Sequence, residues 1–208
     1  PIGKMNSGIM TLSKYSINHS VRRSLPIETG PINKLFDLDR CFSVTKLPVY
    51  QNGAMSTKYL VLVNVHMSAY DDGTIRLEQL KMLYEYMDYE YNKNGNYVIV
   101  GGDFNLSLAD ENGIFNNQMK TPEWCQVLPE GYKAENWATI GYSLNYDIST
   151  TNGTCRDASM RYTDGVNLEV VIDGFITSSN VKVVSTETID GAFKNSDHNP
   201  VKMQFILN

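Results

Sequence analysis

The chain has 208 residues, 42% hydrophobic and 20% charged, which is enough to bury a core and excludes the disordered and collagen-like classes. A net charge of −5 and a pI near 5.2 exclude a protein whose affinity rests on neutralising duplex phosphates over its whole surface. No apolar run reaches membrane-spanning length, and Cys41, Cys125 and Cys155 have neither zinc spacing nor a disulfide framework, as in a reducing or Cys-poor setting.

The first elements are sparse. "PIGKMNSG" is not a signal peptide. The chain opens without Met, so the compartment is left open. The stretch "SLPIETGPINK" (24–34) carries two prolines and a glycine and predicts loop. "RCFSVTKLPVY" (40–50) and "KYLVLVNVHM" (58–67) predict two strands around "QNGA", whose Asn-Gly pair favours a hairpin turn. The second of these is apolar on both faces and predicts a central strand. Asn64 and His66 share one face at its end, because strand side chains alternate.

Residues 73–92 predict a helix, with Ile75, Leu80, Leu83 and Met87 near a 3.6-residue period. Arg76 opens this helix and reads as structural, tying helix to loop. "NKNGN" stops it, and an apolar run begins at Tyr97. That run passes through Gly101 and Gly102 into Asp103 and Asn105. The glycines leave room for close approach of another backbone or a ligand. If the extended geometry continues, Asp103 and Asn105 point the same way.

A long polar stretch (106–165) follows, then predicted strands at 168–177, 181–186 and 199–207. Trp124, Trp137 and the tyrosines read mainly as packing. Asp173 follows "EVVI" inside a strand pattern, an expensive place for a carboxylate without a partner. "NSDHNPV" sets Asp197 and His198 at the entry to the last strand. The chain has three histidines, and two of them, His66 and His198, stand at strand ends beside amides or carboxylates. Strands around one clear helix and long loops predict an α/β or α+β fold in layers.

"GGDFN", "VIDGF" and "SDHNPV", in this order, with "NVHMSAY" upstream, resemble the endonuclease/exonuclease/phosphatase superfamily. This is the metal-dependent phosphoesterase group that includes deoxyribonuclease I, abasic-site endonucleases, sphingomyelinases and inositol-polyphosphate phosphatases. The likeness covers most of the chain from about "GIMTLSKYSI" (8–17), similar to a strand in the family's N-terminal third. It implies one domain over 1–208, an α/β four-layer sandwich of two packed, mostly antiparallel sheets with helices outside, and a site where strand-end loops converge.

The resemblance also implies roles. Asp197 is a metal ligand for Mg²⁺, with Mn²⁺ an alternative. Asp103 orients or deprotonates the attacking water, and Asn105 bonds phosphate or water. His66 and His198 contact phosphate oxygens, and Asp173 is the partner of His198. Asn64 and Arg156, the latter in "TTNGTCRDAS" (150–159), are expected against substrate. The family's glutamate ligand and the asparagine before it lie upstream of the region matching 8–17, and nothing before Gly8 matches them. Glu28 lies after that region and is excluded by position. The expectation is therefore a piece lacking its first strands. Such a piece is expected to be poorly active and to expose an apolar sheet edge through which it self-associates.

The reading that follows is a metal-dependent hydrolase of phosphate esters, the substrate being nucleic acid, a phospholipid head group or a small phosphorylated molecule. The alternative is a non-catalytic binding module on the same scaffold. A nucleotide-binding α/β protein is disfavoured because no glycine-rich dinucleotide motif or P-loop is present.

Overall fold

Asn52 and Gly53 both take positive φ, +53° and +79°, the twist that joins two antiparallel strands through a two-residue turn. The computed structural model describes residues 7–27, 39–69, 72–116, 124–149 and 152–208; residues 28–34 of the predicted N-terminal loop lie outside the described residues. The chain divides into two units, residues 1–101 and 102–208.

The first unit holds β1 (His19–Ser24), β2 (Cys41–Gln51), β3 (Ala54–His66), α1 (Thr74–Asp88) and all but the end of β4 (Tyr97–Asp103). The strands run in the order β1-β2-β3-β4. The expected hairpin is present, with Gln51 opposite Ala54 and Cys41 opposite His66. β3 is interior, as its apolar faces predict. Val61, Val63 and Val65 are buried along it, and Val98, Ile99 and Val100 along β4.

Residues 8–17 do not form the expected strand. The edge of β2 is taken by β1, with His19 opposite Lys46 and Ser24 opposite Cys41. The upstream side chains find no sheet to cover, and Met10, Leu12 and Tyr15 are largely exposed. The outermost strand of this order is also not the apolar edge expected. It reads "HSVRRS", and its two arginines are the kind of charge that blunts strand-to-strand pairing.

The buried side of α1 differs from its prediction at three positions. Leu80, Leu83 and Met87 are buried, but Arg76 and Gln79 join them and Ile75 is half-buried. Gln79 explains part of this. It accepts the Ser68 N–H at 2.9 Å and donates to Ser68 Oγ at 2.9 Å and to the Pro26 carbonyl at 2.6 Å. After α1 a π-helical turn, Tyr89–Lys93, carries Glu90 inward. There Glu90 meets Lys46 Nζ at 2.7 Å, Tyr86 Oη at 2.8 Å and Asn96 Nδ2 at 2.7 Å. Burial pushes its carboxyl up, but these three donors together hold it below the usual range.

The second unit fills the stretch that reads as merely polar. It contains β5 (Leu106–Ser107), β6 (Ile114–Phe115), β7 (Gln126–Val127), α2 (Ala134–Thr139), β8 (Tyr142–Asn145) and β9 (Cys155–Arg156). β10 (Glu169–Val170), β11 (Asp173–Ser178), β12 (Val181–Thr188) and β13 (Val201–Leu207) follow. β10 lies between β6 and β9, β11 is antiparallel to β8, and β12 is antiparallel to β13. The strand expected over 168–177 is thus two strands, broken at Val171 and Ile172. Cys125, Cys155, Val170 and Ile172 form a buried cluster with Ile114, Trp124 and Leu168 against it. Trp137 packs edge-on against Tyr142 at 5.9 Å. The fold is mixed α/β with several sheets. No helix among the described residues is long and apolar enough to cross a membrane.

Candidate functional site

β4 runs buried through Val100 and then changes character. Gly102 has φ +144°, a conformation that favours glycine, and Asn105 has φ +51°. The chain therefore turns at Asn105 instead of staying extended. Asn tolerates this left-handed region because its short amide can bond locally. Here the Asn105 N–H donates to Asp103 Oδ1 at 2.8 Å, and Asn105 Nδ2 donates to Asp103 Oδ2 at 3.2 Å. The two residues meet through a turn, and the extended geometry that would have pointed them the same way does not continue.

Two residues of this loop hook it onto the break between β10 and β11. The Phe104 N–H donates to the Ile172 carbonyl at 3.0 Å, and the Leu108 N–H to the Val171 carbonyl at 2.9 Å. Asp173 then opens β11. Gly174 behind it has no space for a side chain, because a Cβ there would lie 2.6 Å from Leu108 Cδ1 and 2.8 Å from the Asn145 carbonyl oxygen. Gly174→Ala should destabilise the protein by about 1–3 kcal/mol through overpacking. Chemical denaturation at constant m-value checks this, and an unchanged midpoint would contradict it.

His198 enters from the other side. It forms an isolated antiparallel bridge with Cys155. The Arg156 N–H donates to the Asp197 carbonyl at 3.0 Å, and the Asn199 N–H to the Thr154 carbonyl at 2.7 Å. Asn199, buried, adds a side-chain bond to the Gly153 carbonyl at 3.1 Å. These bonds set the imidazole between two carboxylates. His198 Nδ1 is 2.8 Å from Asp173 Oδ2, and Nε2 is 3.9 Å from Asp103 Oδ2. Side-chain exposure is 13% for Asp103, 18% for Asp173 and 31% for His198, so the trio is shielded but reachable.

Burial alone would pull the His198 pKa down. The bond to Asp173, contact with Cys155 and the Asp173 charge outweigh it and push the imidazole up to about 11. Burial also pushes the Cys155 thiol up, so it is neutral at neutral pH and Asp173 is the partner that matters. The pull of Asp173 favours the charged imidazole, which can donate a proton or steady negative charge.

Among the described residues, Asp103, Asp173 and His198 form a group whose ligand atoms lie within 4.8 Å of one another. The two carboxylates are hard oxygen donors and fit a divalent cation such as Mg²⁺ or Mn²⁺. His198 would join only by giving up a proton.

No family model and no curated protein matches this sequence. Solved structures do. One is an endonuclease/exonuclease/phosphatase from Bacteroides vulgatus, with 17% identity and a TM-score of 0.60 over 94% of this chain and 67% of that one. A mannosyl-6-phosphatase from Bacteroides thetaiotaomicron has 16% identity and a TM-score of 0.57 over 92% of this chain and 67% of that one. An endonuclease/exonuclease/phosphatase from Beutenbergia cavernae has 18% identity and a TM-score of 0.59 over 94% of this chain and 46% of that one. The chain has the endonuclease/exonuclease/phosphatase fold. It spans about two thirds of the length of the two Bacteroides structures and less than half of the third.

Four of the sequence candidates, Asp103, Asn105, Asp173 and His198, come together in the second unit. Asp197 is exposed, and its carboxylate is not in the group of three. Arg156 is engaged by its own loop, donating from Nη1 to the Asp157 carbonyl at 3.0 Å and the Met160 carbonyl at 3.3 Å, with Tyr162 under the guanidinium. His66 and Asn64 belong to the first unit. His66 closes β3 half-buried, and Asn64 Nδ2 donates to the Met10 carbonyl at 3.1 Å. Sequence reasoning missed Thr154, Cys155 and Asn199. The signal available was adjacency: Asn199 follows His198, and "GTC" lies in the loop already singled out.

Proposed function

We propose that this chain is a metal-dependent hydrolase of phosphate esters. The observation that carries the reading is the imidazole of His198 held at 2.8 Å by Asp173 and facing Asp103 at 3.9 Å, on a scaffold whose relatives include a phosphatase. Asp103 and Asp173 would hold Mg²⁺ or Mn²⁺, with Asp197 the further ligand that the resemblance implies. Bound there, the cation would lower the cost of building charge on the phosphoryl oxygens.

The protein groups divide the remaining work. Asp103 accepts the proton of the attacking water as its oxygen bonds to phosphorus. Asn105 fixes the carboxylate for that transfer. His198, in its charged form, stabilises the negative charge that grows as the ester P–O bond breaks, and the departing oxygen takes up a proton from solvent. Asp173 fixes the orientation and charge of the imidazole. His66, Asn64 and Arg156 are proposed contacts to the phosphate or leaving group, carried by the resemblance.

The intact protein should release alcohol from a phosphomonoester or phosphodiester reporter in millimolar Mg²⁺ or Mn²⁺, and EDTA should abolish release. Activity persisting in excess EDTA would contradict metal dependence. Saturable binding of phosphate esters without turnover would instead favour the binding module.

A further inference from the structure

We propose that Thr154 is a positioning residue whose hydroxyl fixes Asp173 against His198. This rests on the proposed function for its kinetic consequence and on geometry for everything else.

Thr154 is fully buried. Its Oγ1 accepts two consecutive backbone N–H groups, from Ile172 and from Asp173, each at 2.9 Å, and donates to the Val170 carbonyl at 3.3 Å. Consecutive N–H groups in a strand point to opposite sides. One oxygen can take both only where the strand is broken. That break is Val171–Ile172, between β10 and β11. The hydroxyl therefore stands in for the missing ladder bonds and defines where β11, and with it Asp173, begins.

The same residue holds the histidine segment. Its carbonyl accepts the Asn199 N–H at 2.7 Å, and the next residue, Cys155, bridges His198. Gly153 before it is pressed against β10, where a Cβ would lie 2.6 Å from the Val170 nitrogen. Thr154 thus has little freedom to move, and it joins the backbones that carry both members of the Asp173–His198 pair.

Thr154→Val keeps the shape and removes the acceptor, and Thr154→Ser keeps the acceptor. The expected result for Thr154→Val is a folded protein with kcat down about 10- to 100-fold and KM little changed, as for a sub-ångström to ångström displacement of a reacting group. The hydrogen-bonded Nδ1 proton of His198, followed by NMR at fixed pH, should broaden or vanish in this variant. Thr154→Ser should restore both signals. Thr154→Val with the parent kcat and an intact Nδ1 resonance would overturn the proposal, as would Thr154→Ser falling as far as Thr154→Val. If Thr154→Val does not fold, Thr154→Ala, which also removes the acceptor, carries the same comparison. If the parent protein hydrolyses no reporter, the functional reading fails separately, and the Nδ1 resonance in the three proteins still decides the role of Thr154.

Discussion

Asp103→Asn should lower kcat by about 10³-fold while leaving KM within a small factor. The substitution keeps size but removes the charge that Asn105 is turned back to steady, and the amide oxygen can accept only one of the two bonds of 2.8 and 3.2 Å. An amide cannot accept the water proton. His198 is a poor replacement, because its bond to Asp173 favours the charged imidazole. Steady-state kinetics with a folded variant checks this. A loss confined to KM would mean that Asp103 only binds substrate.

Asp173→Asn and His198→Ala should each cost on the order of 10²- to 10³-fold in kcat/KM, and the double variant should cost little more than the worse single one. The two side chains share one bond at 2.8 Å and act as one cation-bearing unit. Losses that simply multiply would contradict this coupling. The same pair has a pH signature. The imidazole pKa is near 6.5 in an unfolded chain and about 11 in the fold. Its contribution to stability is therefore complete below about pH 6.5 and is lost as the pH rises through 11. In Asp173→Asn the imidazole should titrate far closer to its ordinary value, and an unmoved NMR titration would show that Asp173 is not the cause.

The stretches that carry the candidate site were legible because each combines an apolar strand with a polar residue too costly to bury idly. "VIVGGD" and "EVVID" announce Asp103 and Asp173 in this way, and "QNGA" announces its turn. What was not legible depended on contacts distant in sequence. The run 8–17 has strand composition, but β2 has one free edge and His19–Ser24 takes it. Val171 and Ile172 have strand propensity, yet Thr154, 17 and 18 residues upstream in the sequence, takes the N–H of Ile172 out of the ladder. The short strands within 106–165 are two to four residues long, below the length at which alternation can be read. Gln79 broke the helix pattern because a polar network, not an apolar stripe, fills part of that face.

The most direct test of the central claim is hydrolysis of a phosphomonoester reporter in ¹⁸O-labelled water with Mg²⁺, run on the parent protein and Asp103→Asn together. The account predicts one labelled oxygen in the released inorganic phosphate, none in the alcohol, and release by Asp103→Asn reduced to a small fraction. Label in the alcohol, no release by the parent above the enzyme-free rate from this reporter or from a phosphodiester one, or undiminished release by Asp103→Asn would contradict it.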